Sequence, residues 1–397
     1  MPYTRTLLLL ALLAAFPAMT TDMYLPSLPT LQTLWGADLA TINLTLVLFF
    51  AVFSVSLLVY GPVSDGLGRR PVLLAGIGIY VAGSVCCGLA GGVLQLIVFR
   101  IGQAVGAASA SALSMAIAKD LFQARERQQL LAHLGVVVAL APMLAPVVGG
   151  WLLEWLDWRW IFFAQASWGA LAWFGVLRMD EPLQDKVSVR LGQAVGRYRN
   201  LFRNRRFMAM NLLMAASLTP LFAFIAGSPS IYITRFGVAP QTFGLFFGCN
   251  ALALMLGAFC CSSLTRRRVE GWPLIRFGFA GMLAGGLAVW LVGDRSPYAF
   301  ATAMFGVTFC VGLTRPVSNN LVLEQVDRDV GTASSLLVFL YFVAGAGAMM
   351  LVSLDWDSRL RIIAVLAVGS GALLLLAFGW MRRHWPESLA AIENRKS

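Results

Sequence analysis

The sequence predicts an all-α membrane protein of twelve transmembrane helices arranged in two six-helix pseudo-repeat bundles. Three observations carry that prediction. Only 12% of the 397 residues are charged, against 59% that are hydrophobic. Soluble domains hold roughly 25% charged residues, so this chain has too little charge to coat a water-facing surface. Apolar runs of crossing length, about 20 residues each, recur with short connections between them. Arg and Lys concentrate in alternate connections, the pattern expected where cytoplasmic loops retain positive charge.

The spans are read at 5–33, 42–61, 71–91, 94–117, 128–153 and 158–178, then at 206–234, 240–264, 272–293, 297–322, 331–353 and 357–381. With the N-terminus inside, the cytoplasmic segments hold Arg5, Arg69, Arg70, Lys119, Arg125, Arg127, Arg266, Arg267, Arg268, Arg276, Arg382, Arg383 and the whole 178–206 connection. The other side holds Arg159, Arg235, Arg295, Arg359 and Arg361. Both termini are therefore expected to be cytoplasmic. The organisation follows as a first bundle 1–180, a basic connector 181–205, a second bundle 206–384 and a tail 385–397. Val187, Leu191, Val195, Tyr198 and Phe202 repeat at helical spacing among eight basic residues of 178–206. That pattern predicts an amphipathic helix lying on the inner leaflet, its basic side chains reaching lipid phosphates.

Several function classes are set aside. The net charge of +11 does not imply nucleic acid, because the basic residues alternate with apolar spans. The six cysteines (Cys86, Cys87, Cys249, Cys260, Cys261 and Cys310) lie in apolar runs without a metal-binding spacing, and the histidines are only His133 and His384. No metal centre and no cofactor are expected. An intramembrane enzyme would need clustered His, Cys or paired acids, and an ATP-driven pump would need a G-x-x-x-x-G-K-[ST] stretch; neither is present. The apolar stretch Leu7–Ala15 after Arg5 could imitate a secretion signal. It continues, however, into a polar cluster and more apolar sequence.

A carboxylate inside an apolar span is functional by default. Asp22 lies about seventeen residues into the first span, roughly 25 Å along a helix axis. Burial disfavours its charge and a nearby Arg favours it. That competition can make proton binding exchangeable with substrate; alternatively, Asp22 caps a helix broken near Pro26. Arg100 sits inside span four, beside the Gly102 and Gly106 pair that permits close helix approach. It is either a buried functional charge or an Arg reaching back to the membrane surface. Arg315 in span ten either lines a cavity and binds an electronegative group, or snorkels or pairs with Glu324 or Asp327 near the inner rim. Tyr24, Gln103, Asn211, Tyr232, Asn250, Asn319 and Tyr341 are further polar points in apolar runs. They are either cavity lining or simple packing.

Four motifs carry a resemblance. Gly61-Pro62-Val63-Ser64-Asp65-Gly66-Leu67-Gly68-Arg69-Arg70-Pro71, between spans two and three, resembles the loop signature of the major facilitator superfamily. In that family the loop acid, here Asp65, latches the two halves against the start of span eleven near Gly331 and Thr332. Its glycines are expected to make a tight turn, with Arg69 and Arg70 holding it inside. The stretch around Arg100 resembles the family's second motif, whose Arg is implicated in proton coupling. Pro142, Pro146, Gly149 and Gly150 in span five resemble the motif of the family's exporters, with Ala141 where a Gly is usual. Thr20-Thr21-Asp22-Met23-Tyr24-Leu25-Pro26 resembles the first-span signature of the Bcr/CflA group of drug:proton antiporters, and Gly227-Ser228-Pro229 and Gly331–Ser335 also fit.

The resemblance implies a multi-pass exporter of the bacterial inner membrane, not an enzyme. It would expel small amphipathic compounds, such as phenicols or bicyclomycin-like antibiotics, with the proton gradient as its energy source. Asp22 and Arg100 would couple protons. The partners expected are a small-molecule substrate, protons and the lipid bilayer, with no nucleic acid; a monomer is expected. A physiological exporter or importer of a nucleoside, amino acid or sugar is the alternative.

Overall fold

The computed structural model describes residues 3–183, 191–326 and 330–385. Among these, eleven helices are long and apolar enough to cross a membrane, and twelve when a bent pair is counted as one span. The chain clusters into two units, Met1–Val195 with Ala239–Gly248, and Gly196–Val238 with Cys249–Ser397. The division therefore falls inside the basic connector, and the start of the eighth span groups with the first unit.

In the first unit, the opening span is built of pieces: α1 (Tyr3–Ala14), α2 (Phe16–Thr21), a 3₁₀ turn at Leu25–Ser27 and α3 (Leu28–Trp35). The bend between Tyr3–Ala14 and Phe16–Trp35 is 44°. Proline dictates the break. Pro26 has no N–H to donate, and its ring opposes the carbonyl four residues back, that of Asp22. The chain tightens instead: Tyr24 N–H bonds Thr21 O and Leu25 N–H bonds Asp22 O, both at 3.3 Å.

The rest of the unit is α4 (Leu39–Leu67), α5 (Arg69–Gly88), α6 (Val93–Leu121), α7 (Ala124–Trp155) and α8 (Arg159–Leu177). Asp38 caps α4 by accepting the Thr41 N–H at 3.1 Å. The expected turn from Gly61 onward is corrected here. Gly61 and Pro62 are inside α4, and Asp65 lies in its last turns. The turn is the single residue Gly68, whose φ of +106° suits only glycine. Asp65 is consequently near a helix C-terminus rather than an N-terminus.

Glycine also sets the spacing of α5 and α6. A Cβ on Gly106 would meet the backbone of Tyr80 and Gly76, and one on Gly83 would meet the backbone of Gln103. Gly102 faces open space. The Gly102/Gly106 pair thus contributes one member to close approach; its real partners are Gly76 and Gly83 on the facing helix.

The second unit holds most of α9 (Leu191–Arg203), α10 (Arg205–Ser217), α11 (Thr219–Pro229), most of α12 (Pro240–Arg266), α13 (Gly271–Val292), α14 (Pro297–Leu323), α15 (Val330–Ser353) and α16 (Arg359–His384). The seventh span is α10 and α11 continued by a π-helical turn at Ser230–Arg235. Pro220 takes a donor away from Ala216 O, and the Thr219 hydroxyl donates to that carbonyl at 2.8 Å. The connector helix exists as α9, and on it Val195 and Phe202 are exposed while Leu201 is buried. Val187 and the tail beyond Trp385 lie outside the described residues.

Gly106→Val is expected to destabilise the protein by about 1–3 kcal/mol, the usual cost of overpacking, seen as a lower thermal midpoint in detergent. Gly102→Val, pointing into open space, is expected to leave the midpoint unchanged. Equal effects of the two would contradict the α5–α6 packing.

Candidate functional site

The break in the first span frees backbone, and the site is assembled on it. Because Tyr24 N–H turns to Thr21 O, Thr20 O lacks its usual helical donor. Arg100, in α6, donates to it through Nη1 at 3.0 Å. Gln165, in α8, donates to the same oxygen and to Met19 O, both at 3.2 Å. Arg100 Nη1 also bonds Gln103 Oε1 at 2.7 Å, and its Nε approaches Thr45 O at 3.5 Å. Gln103 Nε2 then reaches Ser84 Oγ at 2.7 Å and Gln165 Oε1 at 2.8 Å. The Thr20 and Tyr80 hydroxyls meet at 2.9 Å, and those of Tyr24 and Thr45 at 3.1 Å. Five segments (the span-one break, α4, α5, α6 and α8) are tied through one guanidinium.

Arg100 is 0% exposed, so it does not reach back to the surface. It makes no ion pair among the described residues. Its charge is offset by carbonyl dipoles and by two aromatic faces: Phe49 with its ring centroid at 4.4 Å and Tyr24 at 4.9 Å. A desolvated cation–π contact is worth about 2 kcal/mol or more, and hydrogen bonds to a charged group about 1.5–3 kcal/mol each.

Asp22 is buried at 7% exposure beside this network. Its Oδ1 accepts the Thr21 hydroxyl at 2.9 Å. Among the described residues it forms no ion pair, so the expected attraction to Arg100 is not a direct contact. The two are linked through adjacent residues of the break: Thr20 O holds the guanidinium and Thr21 Oγ1 holds the carboxylate. From α7, Gly149 packs directly on the Met23 carbonyl, where a Cβ would collide with it. The span-five motif therefore abuts the residue next to Asp22.

The same motif forms a backbone seam with the start of α12. A Cβ on Gly150 would lie 2.5 Å from Pro240 O, one on Gly244 would lie 2.8 Å from Pro146 O, and one on Gly248 would lie 3.1 Å from Met143 O. Pro142 and Pro146 are both internal to α7. Small residues let two backbones touch. Gly244 and Gly248 are partners that the span-five reading alone did not supply.

A second hub closes the α4–α5 turn. Arg69 pairs with Asp65 at 2.6 Å and with Asp120 of α6 at 2.8 Å, and bonds Ser64 Oγ at 2.6 Å. Glu181 accepts the backbone N–H groups of Arg69 and Arg70 at 2.8 and 3.1 Å, capping α5. Arg70 Nη2 bonds Leu177 O at 2.8 Å. Asp120 and Glu181 were missed by sequence reasoning. Nothing local marks them, since each acts on a residue more than fifty positions away.

The expected cavity residues separate into three sets. Tyr24 and Gln103 are fully buried members of the Arg100 network rather than lining of open space. Arg315, Asn319 and Tyr341 come together in the second unit: Tyr341 OH donates to Asn319 Oδ1 at 2.6 Å, and the Arg315 guanidinium lies 5.9 Å from the Tyr341 ring centroid. Arg315 is exposed. It does not pair with Glu324, which accepts from Asn320 at 2.6 Å; Asp327 is outside the described residues. Asn211, Tyr232 and Asn250 are buried, which corrects their assignment to an open cavity wall. Tyr232, on the π-helical turn, packs against Phe224, Phe236 and Phe300. Both polar side-chain atoms of Asn211 lack hydrogen-bond partners. Among the described residues, no group of three or more His, Cys, Asp or Glu could hold a metal.

Up to twelve apolar spans among the described residues surround a carboxylate at the break in the first and a sealed arginine in the fourth. The chain belongs to the Major Facilitator Superfamily, whose family model matches residues 10–349. It is 29% identical over 367 residues to the uncharacterized MFS-type transporter YdgK of Bacillus subtilis (strain 168), covering 91% of each chain. It is 26% identical to the bicyclomycin resistance protein homolog of Haemophilus influenzae, covering 86% of each. To the chloramphenicol resistance protein of Pseudomonas aeruginosa it is 28% identical, covering 86% of this chain and 80% of that one. The fold matches the crystal structure of a D-xylose-proton symporter with a TM-score of 0.75 at 16% identity, covering 94% of this chain and 97% of the other.

Arg100→Lys keeps the charge but loses the planar fork that serves several acceptors at once. It is expected to cost about 1.5–3 kcal/mol for each charged hydrogen bond lost, read as a depressed thermal midpoint. Arg315→Lys, at an exposed site, is expected to shift the midpoint little.

Proposed function

We propose that this chain exports small amphipathic compounds, antibiotics such as phenicols or bicyclomycin-like drugs among them, in exchange for protons by alternating access. The observation that carries the reading is Asp22: a carboxylate inside a membrane span, set in a proline-made break and hydrogen-bonded by one hydroxyl. The names of the bicyclomycin and chloramphenicol relatives support the substrate class.

In the proposed cycle Asp22 takes a proton from the periplasmic side as the drug leaves. On return to the inward state the proton passes to the cytoplasm as new drug binds. Arg100 acts through the break rather than by direct pairing. It anchors the Thr20 carbonyl, so any change in the charge or bonding of Asp22 is felt by a segment clamped to four helices. The proton gradient supplies the energy, and the chain works as a monomer in the bacterial inner membrane with both termini cytoplasmic. The Lys/Arg bias between the two sides supports that orientation.

The Arg69 hub and the α7–α12 glycine seam are proposed as the parts that lock and release during switching. Gly68, Arg69 and Arg70 hold one end, and Gly149 and Gly150 pack the other. Arg315, with Asn319 and Tyr341, is proposed to receive an electronegative group of the substrate. Asn211, Tyr232 and Asn250 are proposed as structural groups rather than drug contacts.

Asp22→Asn is expected to reduce proton-driven efflux to background in proteoliposomes with an imposed pH gradient, while membrane insertion is unchanged. Undiminished gradient-driven export by that variant would remove Asp22 from coupling, and net uptake by the native protein would replace the exporter with an importer. Arg315→Gln is expected to weaken binding of substrates with a carbonyl or nitro group by about tenfold or more, the loss of one charged hydrogen bond. The same affinity in a direct binding assay would exclude Arg315 from the drug site.

A further inference from the structure

Three threonines around the break in span one each touch two oxygens. Thr20 Oγ1 donates to Phe16 O at 2.6 Å and meets the Tyr80 hydroxyl at 2.9 Å. Thr45 Oγ1 donates to Ile42 O at 2.7 Å and meets the Tyr24 hydroxyl at 3.1 Å. Thr21 Oγ1 lies 2.8 Å from Pro17 O and 2.9 Å from Asp22 Oδ1. A threonine bonded back to a carbonyl three or four residues earlier is ordinary in a helix. The second contact is where Thr21 differs from the other two.

A hydroxyl carries one proton and two lone pairs. Thr20 and Thr45 can give their proton to the carbonyl and accept the one that a tyrosine brings. Both of their contacts are then satisfied at once. At Thr21 the second partner is a carboxyl group. A charged Asp22 has no proton to give, so Thr21 must donate to Oδ1. Pro17 O then faces the Thr21 oxygen with no proton between them, at a separation that suits a hydrogen bond. An Asp22 protonated on Oδ1 donates to Thr21 Oγ1 instead, and Thr21 donates to Pro17 O. Only this second arrangement satisfies both short contacts. Thr21 is 2% exposed and Asp22 7%, so water has little room to replace either bond. Among the described residues the Asp22 side chain has no other hydrogen-bond partner, which favours Oδ1 as the atom that holds the proton.

The charged and titratable groups nearest the break act on its other residues. Arg100 of α6 holds Thr20 O at 3.0 Å, and Tyr80 of α5 meets the Thr20 hydroxyl. Tyr24, on the break itself, turns to Thr45 and to the Arg100 guanidinium. From α7 and α8 come Gly149 and Gln165, which are neutral; Glu126, His133 and Glu154 of α7 are exposed.

We infer that Thr21 is the positioning residue that converts the proton on Asp22 into a change of hydrogen bonding at Pro17. Proton binding at Oδ1 turns the Thr21 hydroxyl from the carboxylate to the Pro17 carbonyl, and proton release turns it back. The hydroxyl rotates and never ionises, so the proton that Asp22 takes up is the proton it later gives away. Pro17 stands in the first turn of α2, beside the 44° bend that follows α1. A threonine back-bond bends a helix, so the charge of Asp22 is felt at that bend. This role rests on Asp22 being the proton site of the proposed export cycle.

Infrared spectroscopy of the purified full-length protein at a series of pH values supplies the test. Asp22→Asn identifies the acid C=O band of Asp22 by its loss. A carboxyl group that donates its O–H absorbs at lower wavenumber than a free one. The native band is expected at the lower position. Thr21→Val, which keeps the shape and removes the hydroxyl, is expected to move it to the free-acid position, and Thr21→Ser, which keeps the hydroxyl, to leave it in place. With proline isotope-labelled at its carbonyl carbon, the native protein is expected to show a labelled-carbonyl change as the acid band titrates, and Thr21→Val to lose that change. A merely structural threonine would move neither signal. Absence of an Asp22 acid band at every pH would overturn the proton site and this role with it. A titrating native band at the free-acid position would overturn the Thr21 switch alone, as would a band or a labelled-carbonyl change that Thr21→Val leaves unaltered. The native band needs no Thr21 variant, so the switch is still tested if Thr21→Val fails to fold.

Discussion

The hydrogen bond from Arg100 to the Thr20 carbonyl is the contact on which the first unit depends. Proline breaks the opening span, and a broken span inside a membrane leaves carbonyls that no water can satisfy. A buried guanidinium has the opposite need, for acceptors in a medium that penalises its charge. Each problem is the other's solution. Arg100 and Gln165 take up the free oxygens of Met19 and Thr20, and those oxygens with Thr45, Phe49 and Tyr24 hold the charge. The result is a polar core with the Asp22 carboxylate between two of its members, Thr20 and Tyr24.

The Arg69 hub does a different kind of work. Arg100 has no counter-ion among the described residues and sits deep, whereas Arg69 has two carboxylates and lies at a helix end. Asp65 is partly exposed, so its pair is only modestly stabilising. An interaction of that strength breaks more readily than the sealed Arg100 network.

The second unit is chemically less settled. Polar atoms of Asn211, Ser228, Asn250, Thr308 and Ser318 are buried without hydrogen-bond partners, and Arg315 keeps an exposed guanidinium over Tyr341. The two units thus differ in kind. In the first, carbonyls and aromatic faces surround Arg100, although its Nη2 lacks a hydrogen-bond partner; in the second, the charge of Arg315 is exposed.

Much of this was legible in the chain itself. Twelve crossings follow from apolar run length, and the break near Pro26 from proline's missing donor. The choice of Asp22 and Arg100 as candidates follows from the cost of charge in hydrocarbon. What could not be read is pairing at a distance. Gln165, Ser84 and Tyr80 look like ordinary span residues until three helices converge on Arg100. Gly102 and Gly106 have identical local chemistry, yet only the second meets a neighbour, because helix rotation and not spacing decides which face is covered. Glu181 caps a helix that begins more than a hundred residues earlier. Composition, periodicity and proline act along the chain, so the sequence by itself determined the spans, the break near Pro26 and which charges fall inside spans. Which groups answer those charges depends on the approach of separate helices, and only the tertiary structure decided it.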